Sequence, residues 1–155
     1  MAGRMYSVSF DQQAVSAAQD LINITATSGM AFRVHRIELG QRTLTTWEAK
    51  PIKLIRMPAT VTAGTGGNTG VIVPLGNQGT ATVTARVNDT TPMTTSGTAA
   101  IILARDWEFL NGFLVVFTPD ERPLITVSQG LALNLPVAPS GSMTCSGSII
   151  IEEVA

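Results

Sequence analysis

A chain of 155 residues in which 45% of the side chains are hydrophobic and only 14% are charged must cover much of its surface with threonine, serine, glycine and small apolar groups, since charged residues normally supply about a quarter of a domain. A net charge of −1 gives no field to draw the chain onto phosphate backbones, which argues against a nucleic-acid partner. The single cysteine, Cys145, allows no intrachain disulfide, no apolar run approaches the ~20 residues that span a bilayer, and Met1 to Phe10 lacks a signal peptide's apolar core, so we expect one domain made in a reducing cytoplasm without a membrane partner.

Along the chain, Tyr6, Val8 and Phe10 alternate with serines as in a short half-buried strand. Gln12 to Ile22 reads two ways. Ala14, Ala17, Ala18, Leu21 and Ile22 fit a helical stripe, whereas Leu21-Ile22-Asn23-Ile24-Thr25 is rich in β-branched residues. We expect an extended Asp20 to Thr27, any helix being confined to one or two turns before it, and a turn at Ser28-Gly29. Beyond that turn Phe32 and Val34 share one parity and Ile37 and Leu39 the other. A strand from Ala31 to Gln41 keeps both pairs inward only with a bulge near His35 and Arg36, and we expect it to form a hairpin with the preceding strand.

Arg42 to Lys50, with Trp47, reads as a surface excursion before a strand from Pro51 to Met57. Six glycines between Ala59 and Thr80 mark a long loop, interrupted by a strand from Val71 to Leu75 that Pro74 confines to a sheet edge. Strands follow over Ala81 to Val87, Thr98 to Ala104, Gly112 to Thr118, Leu124 to Val127, Leu131 to Val137 and Ser146 to Glu153. Asn88 to Gly97, Asp106 to Asn111 and Thr118 to Pro123 connect them. Nine or ten short strands without a sustained helical pattern predict an all-β antiparallel sandwich, jelly-roll-like with long loops. It forms a single domain over residues 1–155, with room for an N-terminal arm.

No constellation for catalysis stands out, and no enzyme activity, cofactor or metal is expected. His35 is the only histidine and sits mid-strand beside Arg36; a triad base needs a third group to hold it. Cys145, in Ser142-Met143-Thr144-Cys145-Ser146-Gly147, lacks the spacing of a nucleophile elbow and reads as a packing residue. One His and one Cys cannot complete a zinc site. The adjacent pairs Asp120-Glu121 and Glu152-Glu153 are the carboxylates left for a calcium ion, although strand neighbours point to opposite faces. Gly64-Thr65-Gly66-Gly67-Asn68-Thr69-Gly70 lacks the third glycine of a dinucleotide fingerprint and any following Lys-Ser/Thr, so it reads as a loop. Arg33, Arg36, Arg42, Lys50, Lys53 and Arg56 gather in one segment. On paired strands they form either one basic face for an acidic partner or a solvated face that discourages edge pairing.

Tyr6-Ser-Val-Ser-Phe, Ala17-Ala-Gln-Asp-Leu-Ile-Asn-Ile-Thr, Phe32-Arg-Val-His-Arg-Ile-Glu-Leu-Gly-Gln and the closing Ser146-Gly-Ser-Ile-Ile-Ile-Glu-Glu together resemble the jelly-roll decoration, or cement, proteins of tailed-phage heads. The resemblance covers most of the chain as a succession of strand patterns. It implies a structural virion protein on the capsid exterior, a homo-oligomer, most often a trimer, that bridges neighbouring major capsid protein subunits. It transfers no active-site residues. The contact candidates are Arg4, Tyr6, Trp47, Pro92 and Met93. The reading from another class is a carbohydrate- or receptor-binding β-sandwich module, for which Trp47 and Trp107 are the aromatic candidates.

Overall fold

The computed structural model describes residues 3–27 and 29–154, and nearly all of its regular structure is strand. In chain order these are β1 (Arg4–Val15), β2 (Gln19–Thr25), β3 (Ala31–Gln41), β4 (Ala49–Met57), β5 (Val61–Thr62), β6 (Asn68–Thr69), β7 (Val71–Pro74), β8 (Thr84–Asp89), β9 (Thr94–Thr95), β10 (Ala100–Glu108), β11 (Phe113–Val116), β12 (Leu124–Ile125), β13 (Gly130–Leu135) and β14 (Met143–Val154). Sheet one runs β11-β3-β14-β1-β7, with β12 also paired to β3; sheet two runs β10-β4-β13-β2-β8-β6. All pairings are antiparallel and the sheets pack as a sandwich. The long strands pair in nested order, β1 with β14, β2 with β13, β3 with β11 and β4 with β10.

Alternation decides what lies between the sheets. Tyr6, Val8, Phe32, Val34, Ile37 and Ile149 from sheet one meet Ile22, Ile24, Ile52, Leu54, Leu131 and Leu133 from sheet two in one buried cluster. β3 has the bounds expected, and so does its bulge. Arg36 pairs with Ile150 and Val34 with Ile151, leaving His35 as the extra residue that restores Ile37 and Leu39 to the core. β7 lies at the edge, as Pro74 requires. Leu75 donates its N–H to Met5, which turns the odd-numbered amides toward β1; Pro74, one of the residues facing away, has no N–H to offer an incoming strand.

Several expectations need correction. β2 and β3 form no hairpin: β2 lies between β13 and β8 in sheet two, so the chain crosses from one sheet to the other between them. Before Asp20 there is no helix. β1 runs on to Val15 through a bulge between Phe10 and Gln13, where Gln12 takes a left-handed φ of 52°. Because β1 starts at Arg4, the segment left for an N-terminal arm is sheet from that residue on; Met1, Ala2 and Ser28, the first residue of the expected turn, lie outside the described residues. β10 continues through Asp106 to Glu108 because Trp107 is buried. The basic segment presents no single face, since β3 belongs to sheet one and β4 to sheet two.

Part of the outer face of sheet two is roofed. The segment from Pro58 to Gly70 and the stretch after β8 meet in the β5–β9 pair and a Thr65–Thr91 bridge. Beneath them Met57, Met93 and Ala132 form a second small buried cluster with Ile55 and Val61 against it.

Candidate functional site

Three places in the molecule concentrate polar or exposed chemistry. The first lies under the roof. Asp20 and Asp89 are directly opposite each other on β2 and β8, and both are buried. Asp20 accepts the Met93 N–H at 2.7 Å and Asn134 Nδ2 at 2.8 Å. Asp89 accepts Gly67 N–H at 2.9 Å, Asn23 Nδ2 at 3.0 Å and a two-pronged contact from Arg86, whose Nη2 lies 2.8 Å from Oδ1. The two carboxylates thus pin the roof's two segments to the sheet. Gly67 is needed there, because a Cβ would fall 2.1 Å from the Val87 carbonyl oxygen.

Among the described residues the one cation that serves these two acids is Arg86, and it bonds Asp89. Desolvation accordingly holds the Asp20 carboxyl above its ordinary value of 3.8, against the Met93 and Asn134 hydrogen bonds and with the help of the Asp89 charge. An acid whose native pKa is raised stabilises the fold fully below its ordinary value, and that stabilisation is lost as pH rises through the native value. Thermal midpoints measured from acid to neutral pH should therefore fall more steeply for the wild type than for Asp20→Asn. Parallel curves would mean that Asp20 carries no strain.

The second place is the environment of the two residues singled out for chemistry. His35 Nε2 lies 2.9 Å from Glu152 Oε2 on the outer side of sheet one, with both side chains largely covered. Cys145 is fully buried, and desolvation pushes its thiol up to about 12, so at neutral pH it is a small apolar group. The structure keeps His35 and Cys145 in separate environments, and among the described residues no three His, Cys, Asp or Glu side chains gather as metal ligands. No described helix is long and apolar enough to cross a membrane.

The third place is one end of the sandwich, where the β3–β4, β10–β11 and β13–β14 connections meet. Gln41 Nε2 donates to Phe109 O at 2.8 Å and to Leu44 O, while its Oε1 accepts the Thr43 and Leu44 amides. Glu48 O accepts the Phe109 N–H, and its carboxylate takes the amide and hydroxyl of Ser140; the Ser140 hydroxyl holds Glu48 below its ordinary value. On this braced loop Trp47 is 66% exposed, with the exposed side chains of Leu110 and Val137 on the two neighbouring connections.

No family model, curated protein or solved structure matches this chain.

Of the contact candidates, Trp47 and Pro92 are exposed. Tyr6 and Met93 are corrected to interior residues. Tyr6 is fully buried, with its hydroxyl on Gly79 O at 2.8 Å, and Met93 belongs to the cluster beneath the roof. Arg4 is committed to Glu153 at 2.7 Å. The reading that both tryptophans are aromatic candidates is divided in the same way, since Trp107 is 1% exposed. Sequence reasoning passed over Asp20 and Asp89 altogether. The available signal was an acid directly before the run Leu21-Ile22, which nothing local could neutralise.

Proposed function

We propose that the chain is a jelly-roll structural subunit of a virion that decorates and strengthens a capsid, gripping the major capsid protein through the loop end that carries Trp47. The braced, exposed Trp47 is the observation that carries this reading. Aromatic anchors on rigid supports dominate protein interfaces, because they bury large area at little cost in ordering. The nested strand pairing supports it as well, being the winding of eight-stranded jelly rolls, which occur among viral capsid domains. Lectins and cupins share that winding, so it is the tip, not the roll, that argues for function.

Adding the purified chain to shells that lack it should raise their disruption temperature by mass action. Trp47→Ala should weaken shell binding by about 30-fold or more while leaving the fold unchanged. Failure of the wild type to bind or stabilise shells would reject the proposal. An exposed tryptophan also suits stacking on a sugar ring; saturable glycan binding that Trp47→Ala abolishes, with shells unaffected, would favour the receptor-binding reading.

A further inference from the structure

Sheet one's outer face carries large exposed apolar side chains, and its strand register sorts it into two straight rows. Val116, Arg36, Ile150, Ser7 and Val73 are successive cross-strand partners in one; Leu114, Glu38, Ser148, Ser9 and Val71 are successive partners in the next. Each row has large exposed apolar groups at its ends; between them the first carries Arg36, the largely covered Ile150 and Ser7, and the second carries Glu38, Ser148 and Ser9. Val116, Leu114, Val71 and Val73 are 63%, 53%, 59% and 47% exposed, an unusual outlay of apolar surface for a solvated face. Arg36 and Glu38 occupy the same place in their rows with opposite charge, 3.4 Å apart and each nearly half exposed.

We propose that this face binds a second copy of the chain through a two-fold axis lying across the strands, midway between the two rows. Such an axis leaves each strand over its own counterpart and sets one row over the other. Arg36 then meets Glu38 of the second copy, and Glu38 meets its Arg36, so four charges alternate in a ring. Val116 meets Leu114, Val73 meets Val71, Ile150 meets Ser148, and Ser7 opposite Ser9 lets the faces approach. This is the self-complementarity that an isologous contact demands. An axis perpendicular to the sheet would leave the two copies side by side, and pairing along the β7 edge meets Pro74.

Shape agrees with charge. Beyond the Glu38 row lie Gly40 and Ser146, beside a hollow of about 310 Å³ whose walls include Phe10 and Gly147. A Cβ on Gly40 would meet nothing within 4 Å, so packing inside the chain does not require a glycine at that position. The same axis places this hollow opposite the bulky row of Met5 and Glu152, which are also cross-strand partners. Five strands at ~4.8 Å spacing and four or five residues of ~3.3 Å rise give a footprint of roughly 320–400 Å² per copy, roughly 600–800 Å² in total, at the weak end of interface sizes. The dimer is therefore expected to be concentration-dependent. It replaces the trimer expected from the family resemblance and stands independently of shell binding.

Sedimentation equilibrium of the full chain from about 1 to about 300 µM should show the 16.3 kDa protomer giving way to twice that mass. Arg36→Glu and Glu38→Arg should each raise the dissociation constant about tenfold or more, and the double exchange should return it to within about threefold of the wild type. Gly40→Leu, which fills only the hollow, should weaken the dimer with no loss of thermal midpoint. A monomer throughout the range, a trimer, or single variants that the double exchange fails to rescue would overturn the proposal.

Discussion

Replacing Trp107 by alanine is expected to lower the unfolding free energy by about 3–5 kcal/mol, roughly a fifth or more of what a domain of this size usually has. The indole is among the largest side chains in the core and only 1% exposed. It packs edge-on against Phe109, with centroids 4.9 Å apart and planes at 81°, and donates its N–H to Asn111 O at 3.0 Å. Truncation opens a large cavity and also releases the turn that carries β10 into β11. Trp107→Phe should cost much less, since it keeps most of the apolar area and loses one hydrogen bond. Urea titration reads both as shifts of midpoint at constant slope. A shift under about 1 kcal/mol for the alanine variant would show that the site collapses around the loss.

The second large effect is expected at Glu153. Its carboxylate is fully buried near the end of β14. It accepts the amide and hydroxyl of Thr82, the Val83 N–H at 2.9 Å and Arg4 Nη2 at 2.7 Å. One side chain thus fastens the start of β1 and the approach to β8 onto β14. Glu153→Ala leaves several buried donors unpaired and should cost about 3–5 kcal/mol, most of it from the Thr82 and Val83 groups, because Arg4 still reaches water. Glu153→Gln retains one acceptor and should cost about 1–3 kcal/mol. If the alanine variant unfolds at the wild-type denaturant midpoint, the carboxylate is not what holds this corner.

Wherever one strand's own pattern sufficed, the sequence made the structure legible. The parity jump between Val34 and Ile37 predicted both β3 and its bulge at His35, since only an inserted residue returns Ile37 to the core. Pro74 predicted an edge strand by chemistry alone. Long-range pairing was not legible. A hairpin between β2 and β3 is the natural inference from adjacency, but their partners are β13 and β14, more than a hundred residues away. Asp106 and Asn111 look like turn residues, so the sequence alone ends β10 before Trp107, whose burial depends on the opposing sheet. The same limit explains the contact residues. Tyr6 and Met93 resemble surface anchors in sequence, yet one is sealed by Gly79 and the other by the roof. Asp20 and Asp89 meet only because β2 and β8 pair, which no local pattern announces.

The nested pairing also has a consequence for how the protein is made. β1 is synthesised ahead of the other strands and its central partner β14 after them, so the Arg4–Glu153 contact closes a span of 149 residues. Sheet one cannot form in order of synthesis. β3 has to wait for β14 as well, and of the four nested pairs β4 with β10 closes the shortest intervening chain. Folding is therefore expected to be slow, governed by late closure of distant segments, with Tyr6, Val8 and Phe10 lacking their β14 partner on the nascent chain until that strand has emerged.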